Sequence, residues 1–189
     1  MRVIAGDFKG RRIVAPKGEE VRPTPERVKE AIFSMVHYEL PGAICLDLFA
    51  GTGALGIEAL SRGASRVYFC EMAAPSLAAL KKNLDACLLE PDRAIVLKTD
   101  WRGAVQRLRE KCNLVFIDAP YEMWEHYLQI LEALSKYGAL AGGATIVIER
   151  SAGAGSYGIP AGFEKVREKR YGSVGVDLLV FTDDGDRMK

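Results

Sequence analysis

The chain has few metal-binding side chains for its 189 residues: four cysteines and two histidines. Cys45, Cys70, Cys87 and Cys112 form no C-x-x-C pair, and three lie in or beside apolar runs. Buried free thiols in a reducing compartment are therefore expected, with no zinc site and no disulfide framework. His37 and His126 stand far apart with no ligand cluster around either, so no bound metal is expected. No apolar run approaches the roughly twenty residues of a membrane-spanning helix, and no secretory leader is recognisable, which points to a cytoplasmic protein and no membrane partner. Repeats, low-complexity tracts and linkers are missing too. Net charge is also scarce, at +1, so bulk charge alone does not predict a nucleic-acid partner. Its distribution is uneven. Residues 1–17 hold Arg2, Lys9, Arg11, Arg12 and Lys17 against Asp7 alone, and a second basic cluster is Lys165, Arg167, Lys169 and Arg170, diluted by Glu164 and Glu168. Such clusters suit a phosphate backbone, or simply a solvated face.

What the chain does have is alternation. The apolar run 43–48 ends at Asp47-Leu48, passes through Phe49-Ala50-Gly51-Thr52-Gly53 and opens into an amphipathic segment, 54–62. That is a buried strand, a tight turn and a helix N-terminus, where backbone N–H groups are free to meet a ligand. Strands are expected again at 65–71, 94–99, 113–118 and 145–149. Helices fall between them, striped by Leu77, Leu80, Leu84 and Leu88, by a short segment 101–111, and by Trp124, Tyr127, Leu128, Leu131 and Leu134. From Phe163 the pattern changes to two strand-like runs separated only by Tyr171-Gly172-Ser173. The expected fold is α/β: a doubly wound, seven-stranded, mostly parallel sheet with an antiparallel C-terminal edge. Before it, residues 1–17 read as a β-hairpin, and Thr24 as the N-cap of a helix with Pro25 at its first position. The expected division is an N-terminal hairpin-and-helix extension, 1–41, and a main domain, 42–189.

Gly51, Gly53 and Gly56 satisfy G-x-G-x-x-G, a pattern equally compatible with NAD when taken alone. Asp47, ending the first strand, can face a cationic ligand group, from which a pyrophosphate would gain nothing. Glu71, ending the second, can accept both hydroxyls of a ribose. Asp100, ending the third, can take an adenine amino group or cap the next helix. Asp118-Ala119-Pro120-Tyr121 closes the fourth strand, beside the first in a doubly wound sheet. Its carboxylate and the Ala119 carbonyl offer acceptors, Pro120 keeps Ala119 extended, and Tyr121 offers a stacking face. These suit an exocyclic amino group on a planar base. Trp101 and Trp124 are expected to pack helices, Trp124 close enough to Tyr121 to border the base pocket. Tyr171, beside the second basic cluster, is a further candidate contact.

The Asp47–Gly53 motif with Glu71 resembles the cofactor motif of class I S-adenosylmethionine (SAM) methyltransferases, and Asp118–Tyr121 is similar to their [DN]-P-P-[FYW] amino-methylating motif. Arg2-Val-Ile-Ala-Gly6, Lys9-Gly-Arg11 and Arg22-Pro-Thr-Pro-Glu-Arg27 resemble the opening of the RsmD family, bacterial enzymes that methylate guanine N2 in 16S ribosomal RNA. The likeness covers nearly the whole chain, with Ala119 in place of the usual first proline. It implies SAM held by Thr24, Asp47, Phe49, Gly51, Gly53, Glu71, Met72, Asp100, Trp101 and Asp118. It implies Asp118, Ala119, Pro120 and Tyr121 around the guanine, and RNA gripped by Arg2, Lys9, Arg11, Arg12 and Arg22. The partner it implies is 16S ribosomal RNA or a small-subunit assembly particle, met by a monomer. The competing readings are a DNA adenine-N6 methyltransferase, a NAD-dependent oxidoreductase, and a SAM-binding RNA-binding protein with little activity.

Overall fold

A computed structural model of the chain describes residues 1–16 and 25–182, with the Tyr121 side chain left out. The expected alternation is present. Helix α1 (Glu26–Met35) precedes β1 (Ile44–Asp47), α2 (Ala54–Ser61), β2 (Arg66–Glu71), α3 (Ala74–Ala86), β3 (Ala94–Lys98) and α4 (Trp101–Arg107). Then come β4 (Cys112–Asp118), a 3-10 turn (Tyr121–His126), α5 (Tyr127–Lys136), β5 (Leu140–Ser151), β6 (Phe163–Tyr171) and β7 (Val174–Phe181). The seven strands form one sheet in the order β3-β2-β1-β4-β5-β7-β6. β1 to β5 run parallel, and β7 runs antiparallel to both neighbours, β5 and β6. The order reverses between β1 and β4, and a crevice opens there at the carboxyl ends of the strands. Among the described residues no helix is long and apolar enough to cross a membrane.

Each face of the sheet buries one apolar layer. The first joins Val28, Ile32 and Phe33 of α1 and Leu55, Ile57 and Leu60 of α2 to Val67, Phe69, Val174 and Val176 of the sheet. The second joins Trp101, Ala104 and Val105 of α4 and Ile130, Leu131 and Leu134 of α5 to Leu46, Val115, Ile146 and Ile148. Val3 and Ile13 of the N-terminal segment belong to the first layer.

The N-terminal segment forms the expected hairpin: Val3 N–H donates to the Arg11 carbonyl (2.9 Å), Gly10 N–H to the Val3 carbonyl (2.9 Å) and Ile13 N–H to the Met1 carbonyl (3.0 Å). Its only bridge among the described residues pairs Arg2 with Arg12. Much of its backbone bonds elsewhere: Ile4 and Ala5 N–H donate to the Glu58 carboxylate (2.8 and 3.0 Å), Phe8 N–H to Ser61 Oγ (2.9 Å) and Val14 N–H to Asn83 Oδ1 (2.9 Å). The segment is thus laid along α2 and α3. Glu58 is fully buried and also bonds Lys29 Nζ (2.9 Å), itself fully buried, and Arg62 Nε (2.8 Å). Lys29 Nζ in turn donates to the Arg2 carbonyl (2.7 Å). Helix α1 starts one residue later than expected, with Pro25 in the cap position (φ −54°, ψ 139°), and Thr24 lies outside the described residues.

Candidate active site

The glycine turn is held from three sides. Gly53 has φ +81°, and a Cβ there would stand 2.4 Å from Leu80 Cδ1, so only glycine fits. At Gly56 a Cβ would lie 2.2 Å from the Phe69 ring, which lets α2 pack directly on β2. Asp47 ends β1 and reaches under the turn: its Oδ2 accepts the Gly56 N–H (3.0 Å), satisfying one of the free donors of the first turn of α2. Its Oδ1 is buried and has no hydrogen-bond partner among the described residues. Burial first, then the nearby Asp118 and Glu71, raise the Asp47 pKa to about 7 against the lowering effect of the Gly56 N–H.

Glu71 closes the turn from β2. Oε2 accepts the Gly51 N–H (2.9 Å), and Oε1 accepts the N–H groups of Met72 (2.8 Å) and Ala73 (2.7 Å). These three bonds occupy most of the roughly four acceptor positions of a carboxylate and leave room for one more direct bond. Asp100 caps α4, with Oδ1 accepting the Gly103 N–H (2.9 Å) and Oδ2 left toward Arg102 (3.9 Å). At β4, Asp118 is half-buried, Ala119 buried and Pro120 exposed, and the Pro120 carbonyl accepts the Met123 N–H (2.8 Å).

These turns converge on one cavity of about 810 Å3. Asp47, Phe49, Gly51, Glu71, Met72, Asp100, Trp101, Asp118, Ala119 and Pro120 all line it. Gly53 does not; it shapes the turn from behind. Trp101 is buried, and its Nε1–H has no hydrogen-bond partner among the described residues. Trp124 does not line the cavity either, and its ring lies against Gly155 instead. Glu149, which local sequence pattern does not single out, is buried, stands beside Asp118 as its register partner on β5 and lines the same cavity. The signal it does carry is the one Glu71 carries: an acid where a strand reaches the crevice. Cys70 also lines the cavity, but burial first, then the nearby Asp47, Glu71 and Asp100, push its thiol up to about 12.

The basic residues of the N-terminal segment divide. Arg2 and Arg12 face each other across the bridge, next to Met1, which lines the cavity. Arg2 pairs with Glu26 (3.4 Å). The tip of the segment bonds to Ser61 at the far end of α2, placing exposed Lys9 about one helix length, roughly 12 Å, from the glycine turn. Arg11 donates to the Ala86 carbonyl at the end of α3. Arg22 lies outside the described residues.

The strand order, the reversal between β1 and β4 and a glycine-turn cavity at that reversal define a class I methyltransferase fold. The family described as "Conserved hypothetical protein 95" matches residues 1–180. The chain belongs to this family, the RsmD family. It is 34% identical over 180 residues to "Ribosomal RNA small subunit methyltransferase D" of Escherichia coli strain K12, covering 94% of this chain and 88% of that one. It is also 34% identical over 182 residues to "Putative rRNA methyltransferase YlbH" of Bacillus subtilis, covering 94% and 97%. Among solved structures, "Putative methyltransferase yhhF" of Escherichia coli superposes with a TM-score of 0.85 at 33% identity, over 96% of this chain and 98% of that one.

Proposed function

We propose that this chain is a SAM-dependent methyltransferase that methylates the exocyclic N2 of a guanine in small-subunit (16S) ribosomal RNA. One observation carries the reading: the Asp47–Gly53 turn and the Asp118–Pro120 turn, at the ends of adjacent parallel strands, open into a single cavity. A cavity of about 810 Å3 falls in the range of small-molecule sites and has room for a cofactor beside a base. The unpartnered Oδ1 of Asp47 and Nε1 of Trp101 are buried polar atoms in want of a ligand, which fits SAM, a molecule with both cationic and hydrogen-bonding groups. The RNA substrate is carried over from the names of the relatives and from the opening motif.

When bound, SAM supplies an activated methyl group on a positively charged sulfur. The protein's task is placement. Glu71 has capacity left for a ribose hydroxyl, Asp100 for an adenine amino group, and Asp47 for a cationic group of the cofactor. Asp118 and the Ala119 carbonyl accept the two hydrogens of the guanine amino group. Its lone pair is delocalised into the ring, and two acceptors favour a pyramidal nitrogen with the pair localised and aimed. Positioning of this kind supplies most of the acceleration. The base must be presented unstacked for the amino group to reach the turn. Residues 1–41 then serve as a substrate-facing extension of a methyltransferase domain spanning 42–189, acting as a monomer on RNA or an assembly particle.

Calorimetric titration with SAM and with NAD, followed by transfer of labelled methyl to small-subunit RNA, tests this reading. Binding of SAM and transfer to RNA are expected. Preference for NAD, or SAM binding without transfer, contradicts it.

A further inference from the structure

The second basic cluster, Lys165 to Arg170, plays no part in the site described above. Strand register sorts it. β6 is the outer edge of the sheet and pairs only with β7. Its register with β7 shifts between Lys165 and Arg167, so Val166 is an inserted residue and the side chains after it change face. Lys165 and Glu168 consequently share the face of the α4 and α5 layer, where their charges are consumed. Lys165 Nζ bonds Glu168 (2.8 Å), Arg150 Nη2 bonds Glu168 (2.6 Å), and Arg150 Nε bonds the buried Asp177 (2.9 Å). On the opposite face Arg167, Lys169 and Tyr171 stand beside Leu178, Val176 and Val174, members of the α1 layer. Arg167 and Lys169 are exposed and form no ion pair among the described residues; Tyr171 is half-buried. Of the two acids that dilute the cluster in sequence, the bulge sends Glu168 to the other face, while Glu164, the register partner of Val180, stays on this face at the end of the strip away from the cavity.

The strip also has a place. Val174, the register partner of Tyr171, lines the cavity. Lys169 and Arg167 follow along β6 at about 7 and 13 Å from it. Met1, which adjoins Arg2, lines the same cavity and packs on the same core layer as Tyr171. Charges on an edge strand discourage sheet addition, but that role needs no sorting by face. Cations without an ion-pair partner among the described residues, leading to an aromatic residue paired with a strand position that lines the cavity, match how proteins track a single-stranded backbone.

We infer that Arg167, Lys169 and Tyr171 form a second RNA-contacting strip, which delivers the phosphate backbone toward the cavity. This deepens the RNA reading proposed above and rests on it. RNA affinity of the full chain is measured against salt for the wild type, for Arg167→Ala with Lys169→Ala, and for Arg170→Ala on the other face. The double variant should reduce the slope of log K against log salt by about 2, with SAM affinity unchanged, and Arg170→Ala should leave the slope unchanged. A wild-type slope in the double variant, or an equal loss from Arg170→Ala, overturns the strip. A loss seen only with assembled particles and not with naked RNA also overturns it, in favour of a ribosomal-protein contact. Wild-type methyl transfer is measured in parallel: if it occurs and the double variant keeps its slope, the strip alone fails. If the wild type neither binds nor methylates RNA, the proposed function falls with it.

Discussion

Asp47 and Asp118 are the two residues on which the chemistry turns, and their surroundings differ. Asp118 is half-buried at the cavity, where its carboxylate is the proposed acceptor for the amino group of the base. Asp118→Ala is expected to lower methyl transfer by on the order of 10^2 to 10^3, as loss of one well-placed polar group does, with calorimetric SAM affinity within a few-fold of wild type. Lost SAM binding with a normal residual rate would contradict its role. Asp47 is fully buried, and its pKa of about 7 stands above the ordinary carboxylate value. The fold therefore favours its protonated form: the associated stability is full below about pH 4 and is lost as pH rises to and beyond 7, with a ceiling of roughly 4 kcal/mol. Denaturant midpoints of the ligand-free protein should fall between pH 5 and pH 8. Asp47→Asn should flatten that fall, and saturating SAM, whose cationic groups favour the carboxylate, should reduce it. An equally steep profile in Asp47→Asn would show that another group is responsible.

At the scale of elements, Glu58 ties three of them together: α2, which carries it, α1 through Lys29, and the N-terminal segment through Ile4 and Ala5. Burial alone would raise its pKa, but the Ile4 N–H, Lys29 and Arg62 outweigh burial and hold it below the usual value. Its contribution is therefore present above the ordinary carboxylate pKa and lost as pH falls through the depressed one. Glu58→Gln leaves the buried Lys29 ammonium uncompensated, an effect of about 3 to 5 kcal/mol. Hydrogen exchange should rise at the Ile4 and Ala5 amides well before it rises in β1; unchanged protection there would show that the segment is held by Val3 and Ile13 instead. None of this was legible in the sequence, because Glu58 lies 53 and 54 residues from the amides it binds. What could be read was local. The strand, glycine turn and helix from Ile44 to Ser61 follow from an apolar run, two constrained glycines and a helical stripe. Elsewhere local signals misled. The strand expected at 145–149 begins at Leu140 and runs through Gly142 and Gly143, where a Cβ would touch nothing. The stripe from Trp124 read as one helix, whereas a 3-10 turn runs to His126 before α5 begins. The facing of Arg167 and Lys169 depends on a bulge that no period-2 pattern reveals.

At the scale of the whole molecule, the parallel strands bring Asp47, Glu71, Asp100 and Asp118 to the same end of the sheet, and the antiparallel β7 brings Val174 there from the other direction. In the proposed arrangement the cofactor groups gather over β1, β2 and β3 and the acceptor groups over β4, which puts the methyl donor and the base where the strand order reverses. The central claim is the identity of the methylated atom. It is tested most directly by incubating the protein with radiolabelled SAM and small-subunit RNA, naked and in assembly particles, from a strain lacking this activity, and then resolving the labelled nucleosides. The account predicts label in N2-methylguanosine. Label in N6-methyladenosine, or no label in either substrate, contradicts it.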